Sequence, residues 1–183
     1  MRGSDVAIRR AGPADAMPIA RLHVKTWRET YRDLAPESAM RILDLPYRHA
    51  AWVKLLDAGE RTVLVGEQDG RIVAIGSSGP ATTPELEPHG EINYLYVDAA
   101  RAGRGIGRRM MAALAADLRD RGFRSAALGV VAANKAAIAF YDRLGGICTG
   151  HYTDPGPHWL SENLVYVWRD LERLVDPARH RRA

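Results

Sequence analysis

The residues with the clearest chemical use lie in one stretch. It runs Glu91-Ile-Asn-Tyr-Leu-Tyr-Val97, then Asp98, then Arg101-Ala-Gly-Arg-Gly-Ile-Gly107-Arg108-Arg109. The pattern predicts a strand, a glycine-rich loop set among arginines, and an amphipathic helix. That layout suits the gripping of a pyrophosphate. Gly103, Gly105 and Gly107 let the backbone turn tightly and approach an anion, because no Cβ stands in the way. N–H groups of the loop and of the first helical turn then point at the phosphates, and Arg104, Arg108 and Arg109 add positive charge. Two common nucleotide sites are excluded by the same residues. A Walker loop needs a Lys-Ser/Thr pair where Arg108-Arg109 stand. A dinucleotide fingerprint needs a third glycine where Arg108 stands or, counting from Gly105, Met110.

The segment resembles the acetyl-coenzyme A motif of the GCN5-related N-acetyltransferase (GNAT) family, Gln/Arg-x-x-Gly-x-Gly/Ala. Its last two glycines fall on Gly105 and Gly107, which puts Ala102 at the Gln/Arg position, a departure from the pattern. A second match follows at the family's spacing: Asn134-x-x-Ala137-x-x-Phe140-Tyr141-x-x-Leu144-Gly145 resembles the segment that closes over the pantetheine arm. Gly146 replaces the aromatic residue usual after that glycine, so some packing is expected to be lost there.

The resemblance implies acyl transfer from a thioester to a primary amine. Acetyl-CoA is then the co-substrate, and transfer is direct, through a ternary complex. Leu95, Tyr96 and Val97 would pair with the pantetheine as an added strand would. The loop from Ala102 through Gly103, Arg104, Gly105, Ile106 and Gly107 to Arg108 would hold the phosphates. Asn134 would hydrogen-bond the pantetheine, or cap the helix that it begins, or both. Tyr141 matches the family's general acid, and a phenol suits that task because it keeps its proton at neutral pH; packing beside Phe140 is the competing role. Glu91 stands where some members place a glutamate base. A structural carboxylate, with a water chain as the base, is the alternative. Strand alternation puts Glu91, Asn93 and Leu95 on one face. The family's acceptor groove nominates Trp27, Tyr31 and Tyr152 as substrate-binding residues, with His151 and Trp159 nearby. Trp27, Tyr31 and His23 also form one helical stripe, which is a core pattern. Carboxylates that a cationic acceptor would need include Asp33, Glu37, Glu85, Glu87 and Glu162.

These residues need elements to place them. Val6–Arg10 predicts a strand, and Asp15 an N-cap for a helix to Tyr31 with Pro18 in its first turn. A second helical region punctuated by Pro36 and Pro46 ends near Gly59. Strands Arg61–Glu67 and Arg71–Ser77 flank a Gln68-Asp69-Gly70 turn. After the strand at Glu91 come a helix Ile106–Arg121 stopped by Gly122, a strand Arg124–Val131, a helix Asn134–Leu144, and strands Ile147–Thr153 and Asn163–Trp168. Asp154-Pro-Gly-Pro157 is a loop. The order β-α-α-β-β-β-α-β-α-β-β predicts an α/β (α+β) mixed sheet with helices on both faces, which is the GNAT-like acyl-CoA N-acyltransferase order over about residues 6–170.

The chain has 183 residues, 46% of them apolar, and one domain over 1–183 is expected, with a basic tail over 171–183. The single cysteine, Cys148, allows no internal disulfide and fits a reducing, cytoplasmic compartment. No apolar run reaches the length of a membrane span. The net charge of +4 comes from arginine, notably Arg179-His180-Arg181-Arg182, and is read as a solvated tail and an anion-binding loop, not a nucleic-acid surface. No histidine has metal-ligand spacing to a partner, so no metal is expected. The family suggests a homodimer. Two rival functions stay open: a protein acetyltransferase acting on an N-terminal amine or a lysine, and a non-catalytic acyl-CoA-binding sensor.

Overall fold

The computed structural model describes residues 5–156 and 158–176; Pro157 and the arginine-rich tail 179–182 lie outside the described residues. The elements are β1 (Ala7–Arg10), α1 (Ala16–Tyr31), α2 (Glu37–Ile42), α3 (Leu45–Ala58), β2 (Thr62–Gln68), β3 (Arg71–Pro80), β4 (Gly90–Val97), α4 (Ile106–Asp120), β5 (Ala126–Val131), α5 (Lys135–Arg143), β6 (Ile147–Asp154), β7 (Ser161–Trp168) and α6 (Leu171–Val175). The strands form a mixed seven-stranded sheet in the order β1-β2-β3-β4-β5-β7-β6.

Three features differ from the sequence expectation. The second helical region is two helices. Pro46 has no N–H and would collide with the carbonyl four residues back, so a helix cannot run through it. The chain restarts instead, with the Asp44 side chain accepting from Tyr47 N–H at 3.0 Å. Asp15 does stand at the N-cap of α1, yet it makes no capping bond there. Its carboxylate accepts from Gly12 N–H at 2.8 Å and from both terminal nitrogens of Arg9 at 2.8 and 2.9 Å. That pairing holds Asp15 below the usual carboxylate range. Finally, part of the expected tail is the helix α6, whose Leu171 and Leu174 are buried. Asp170 caps it by accepting from Glu172 N–H at 3.0 Å.

The chain forms two compact units, each drawn from separate stretches. Of the described residues, one unit takes those up to Ser77 together with 94–110, and the other takes 78–93 and those from Met111 onward. In the first, α1 buries Ala16, Ile19, Ala20, Leu22, His23 and Trp27 at helical spacing. Ile19, Ala20 and Leu22 join Trp52 of α3 with Val63, Val65 and Ile75 of the β2–β3 hairpin. The hairpin closes through Asp69 and Gly70, at φ 51° and 71°, the two-residue turn that Asp-Gly favours.

In the second unit, β5 pairs antiparallel with β7 over six residues, from Ala126↔Trp168 to Val131↔Asn163, and β6 pairs with β7 outside it. The parallel ladder of β4 with β5 comprises only Gly90↔Ala126 and Glu91↔Ala127. Leu86, Ala127, Val165 and Val167 form a core cluster with Tyr152 against it. α4 ends in a Schellman motif: Gly122, at φ 91°, donates to Arg119 O at 2.8 Å and Phe123 N–H donates to Leu118 O at 3.0 Å.

The packing expected to be missing at Gly146 is supplied by other rings. A Cβ at 146 would stand 2.7 Å from the Trp168 ring and 2.9 Å from the Tyr166 ring. Gly146→Ala should therefore destabilise the protein by about 1–3 kcal/mol through overpacking, read as a lowered urea midpoint at unchanged slope.

Candidate active site

The glycine-rich loop belongs to the first unit and follows directly on β4. The strand ends at Val97, and the N–H of Asp98 bonds to Val73 O at 2.8 Å. The Asp98 carboxylate accepts from Lys25 Nζ at 2.8 Å and from Ala100 N–H at 3.2 Å, so it caps the short 3-10 turn Ala99–Arg101. Lys25, and then the backbone bond, hold the Asp98 carboxyl below its ordinary value. Gly103 and Gly105 follow, both at φ 75°, the left-handed region that other residues enter at a cost. Nothing lies within 4 Å of where a Cβ would stand on either one. The loop is thus open on the side a ligand would approach.

The first helical bond of α4 runs from Arg109 N–H to Gly105 O at 3.1 Å. The N–H groups of Ile106, Gly107 and Arg108 then have no acceptor inside the helix, and the positive end of the helix dipole adds to them. Arg104 and Arg108 are exposed. Arg109 is differently employed: its guanidinium pairs with Asp5 and donates to Val6 O, each at 2.6 Å. It is therefore an anchor for β1. Ala102 is exposed and ends the 3-10 turn. This set suits a pyrophosphate without the missing arginine, because the donors it offers are backbone N–H groups.

β4 does not alternate along its whole length. Tyr94 has φ 54°, a left-handed conformation inside a strand, and a bulky residue held there costs about 1–3 kcal/mol. The period that would carry Glu91, Asn93 and Leu95 along one face is interrupted at that point. Beyond it Leu95, Tyr96 and Val97 are half-buried. Tyr94 and Tyr96 both lie against His23, with ring centroids at 5.5 and 4.8 Å.

His23 is buried and packed, as its helical stripe suggests. Its Nδ1 accepts from Trp52 Nε1 at 3.0 Å, so the neutral ring carries its proton on Nε2. Burial, and then the charge of Arg48, hold its pKa well below the ordinary value. Trp27 is buried and pairs with Tyr31 at a centroid distance of 5.4 Å. Arg48 lies 5.7 Å over the Trp27 ring. Sequence reasoning missed Arg48, since an arginine on a helix carries no mark of burial in its residue type. A cavity of about 790 Å³ is lined by Arg28 and Glu29 of α1, Arg32 just after it, Met40 and Arg41 of α2, and Asp44.

The second unit holds the remaining candidates. Glu91 is 5% exposed, and one of its carboxylate oxygens accepts from Thr82 twice, from N–H at 3.0 Å and from Oγ1 at 2.9 Å. Tyr152 lies with its hydroxyl over Gly129 of β5 and accepts from Asn163 Nδ2 at 3.3 Å. Burial raises the Tyr152 pKa, and Asp154, Glu91 and Glu85 raise it further, against the Asn163 bond, which lowers it. The unit therefore collects three carboxylates and a phenol. Thr82, Asn163 and Asp154 are the members that the sequence did not reveal. His151 is exposed on β6 and Trp159 is half-buried.

Asn134 caps α5, its Oδ1 accepting from Ala137 N–H at 3.2 Å. Tyr141 is 8% exposed, inside a ring cluster with Phe140, Tyr166 and Trp168 at 5.4, 5.9 and 5.8 Å. Tyr166 in turn donates to Asp142 at 2.7 Å, and that bond pushes its pKa up to about 12.

Comparison with known proteins agrees with this geometry. The model of the acetyltransferase (GNAT) family matches residues 21–146. The chain is 28% identical over 136 residues to the uncharacterized N-acetyltransferase YuaI of Bacillus subtilis, covering 74% of this chain and 77% of that one. It is 25% identical over 130 residues to the L-amino acid N-acyltransferase MnaT of Escherichia coli, covering 69% and 74%. Among solved structures it resembles yncA of Salmonella typhimurium with its cofactor acetyl-CoA, at a TM-score of 0.67, 24% identity and coverage of 92% and 95%. It also resembles a ribosomal-protein-alanine N-acetyltransferase of Brucella melitensis, at a TM-score of 0.67, 28% identity and coverage of 88% and 98%. With a family match across well over half of its length, and the strand, loop and helix that carry the motif formed, this chain belongs to the acetyltransferase (GNAT) family and is an N-acetyltransferase.

Proposed function

We propose that the protein moves the acetyl group of acetyl-CoA directly to the primary amine of a small molecule. The observation that carries this reading is the open loop at the end of β4, with two left-handed glycines and the unbonded first turn of α4. The loop from Ala102 to Arg108 holds the pyrophosphate. The short β4–β5 ladder supports a role for Leu95, Tyr96 and Val97 as a backbone rail for the pantetheine, and Asn134 adds a side-chain amide while it caps α5. When bound, the coenzyme supplies an acetyl thioester, which is already activated toward amines.

The chain's residues then handle protons and charge. An ammonium has a pKa of about 10, so its proton must leave before attack. Glu91 takes it, directly or through water. A β4 backbone N–H stabilises the oxyanion, a contact worth about 3 kcal/mol. Tyr141 gives its hydroxyl proton to the departing thiolate and regains it from solvent. The carboxylates around Tyr152 favour a cationic acceptor, and Trp27, Tyr31 and Tyr152 are its candidate binding residues. MnaT, named for amino acids, supports a small acceptor; the Brucella relative, named for a ribosomal protein, supports the protein-directed alternative. The expected cytoplasmic setting and the homodimer belong to the same reading; among the described residues no helix is long and apolar enough to cross a membrane.

Acetyl-CoA at a hundred times its dissociation constant should stabilise the protein by about 2.7 kcal/mol, several degrees in the unfolding temperature. Thiol release should then require an amine. The exposed Cys148 adds one equivalent of signal in a thiol assay, which sets the baseline. No stabilisation, in protein free of copurified coenzyme, would overturn the reading.

A further inference from the structure

Arg48 is the one buried cation among the described residues that the fold leaves without an anion. It stands in the first turns of α3 and is 9% exposed. Its Nε is buried with no hydrogen-bond partner. The guanidinium meets ring faces instead, 5.7 Å from the Trp27 centroid and 6.0 Å from that of Tyr47. Nearby arginines are engaged in ordinary ways: Arg28 donates to Met40 O at 3.2 Å, and Arg41 pairs with Glu37 at 2.8 Å.

An arginine cannot escape burial by losing its proton. A buried donor left without a partner, as the Arg48 Nε is, carries a penalty that folds ordinarily avoid. Ring faces offset part of it. The planar fork of a guanidinium suits a planar anion such as a carboxylate. The surroundings do not compete for that anion. His23, within electrostatic reach of Arg48, is held neutral and bonded to Trp52, and it packs on Tyr94 and Tyr96 of β4. Arg48 thus stands one aromatic layer from the β4 segment assigned to the coenzyme's arm.

We propose that Arg48 is an anion site and that it receives a carboxylate of the acceptor, so that the acceptor is an amino acid or another amine carrying a carboxylate. This rests on the transferase reading above, and Arg48 is then a specificity residue with no part in the bond-making step. The carboxylate-free amine would leave the guanidinium buried and unpaired, the situation in which a polar site discriminates most strongly.

The test uses the full chain and matched acceptors that differ by the carboxylate alone: L-leucine with 3-methylbutylamine, L-phenylalanine with 2-phenylethylamine, L-lysine with 1,5-diaminopentane, and the other common amino acids with their amines. For the best pair, wild type should favour the carboxylate by about 100-fold in kcat/KM. Arg48→Met, of similar volume and able to fill the same apolar niche, should reduce that preference to about threefold or less. Arg48→Lys should fall between, having charge without the fork. Acetyl-CoA affinity should not change in either variant.

A preference absent from wild type, or kept by Arg48→Met, would overturn the inference. So would a variant that loses acetyl-CoA affinity with its acceptor preference intact, since the anion would then be a coenzyme phosphate. Binding of the same pairs to protein saturated with coenzyme A, by calorimetry, separates the two claims. Carboxylate-selective binding that vanishes in Arg48→Met, with no thiol release from any amine, would uphold the site and sink the transferase reading. Rapid thiol release with equal binding of both members would do the reverse.

Discussion

Gly105→Val should weaken acetyl-CoA binding by about 100-fold or more. Gly105 sits at φ 75° with nothing within 4 Å of its absent Cβ. A valine there meets two separate obstacles. The left-handed conformation is strained for any side chain and most for a β-branched one, at about 1–3 kcal/mol. That strain is present with or without ligand, so it lowers the unfolding temperature and leaves the dissociation constant alone. The second obstacle acts on binding: the new Cβ and its methyls occupy the open side of the loop, from which, in the proposed site, the phosphates approach the N–H groups of α4's first turn. Each charge-assisted bond forgone there is worth about 1.5–3 kcal/mol, and losing one or two of them gives the stated factor. Gly59→Val separates the two effects, because Gly59 has φ 66°, equally open surroundings and a place at the end of α3. It should lower stability by a similar amount and leave the dissociation constant unchanged. Calorimetric titration of both variants is the measurement, and equal affinity for Gly105→Val and wild type would remove the loop from the coenzyme site.

What the sequence revealed is what local physics controls. The glycine loop, the Asp-Gly turn, the Gly122 stop and the Asn134 cap each depend on a few neighbouring residues, and each stands where its signal lies. Even the division of α2 from α3 was written in Asp44 and Pro46. Three parts of the site were not legible for identifiable reasons. Tyr94 opens the strand-forming run Tyr94–Val97, so nothing in its own type marks its left-handed backbone. Tyr152 meets Asn163 because β6 and β7 place them opposite one another, and the hydrogen bond from Asn163 follows from that register. Thr82 reaches Glu91 from a loop nine residues earlier. Such pairings are fixed by strand order and register, which periodicity alone does not specify. Arg48 was invisible for the opposite reason: composition assigns arginine to the surface, and only a packed structure exposes the exception.

Tyr141→Phe should lower kcat by about 100-fold while the affinity for acetyl-CoA stays within about threefold, if the phenol is the proton donor to sulfur. The substitution removes one oxygen and keeps the ring, so the packing with Phe140, Tyr166 and Trp168 is retained and the unfolding temperature should move little. A fall in kcat alone does not identify which proton is involved, because a shifted coenzyme arm would also slow the reaction. The leaving group identifies it. A donor whose thiol is far more acidic than that of coenzyme A expels a thiolate that needs no proton, so the rate of Tyr141→Phe should approach that of wild type with such an acetyl thioester. Glu91→Gln responds to a different variable. Its deficit should shrink as pH rises toward the pKa of the amine, where free amine no longer requires a base, and it should not shrink with a better leaving group. In the proposed reaction the two carry opposite halves of one proton balance, one taking a proton before attack and the other giving one at departure, so each rescue should work for its own variant and fail for the other. A Tyr141→Phe enzyme that stays slow with the acidic thiol, or is as fast as wild type with acetyl-CoA, would leave Tyr141 as a member of the ring cluster alone.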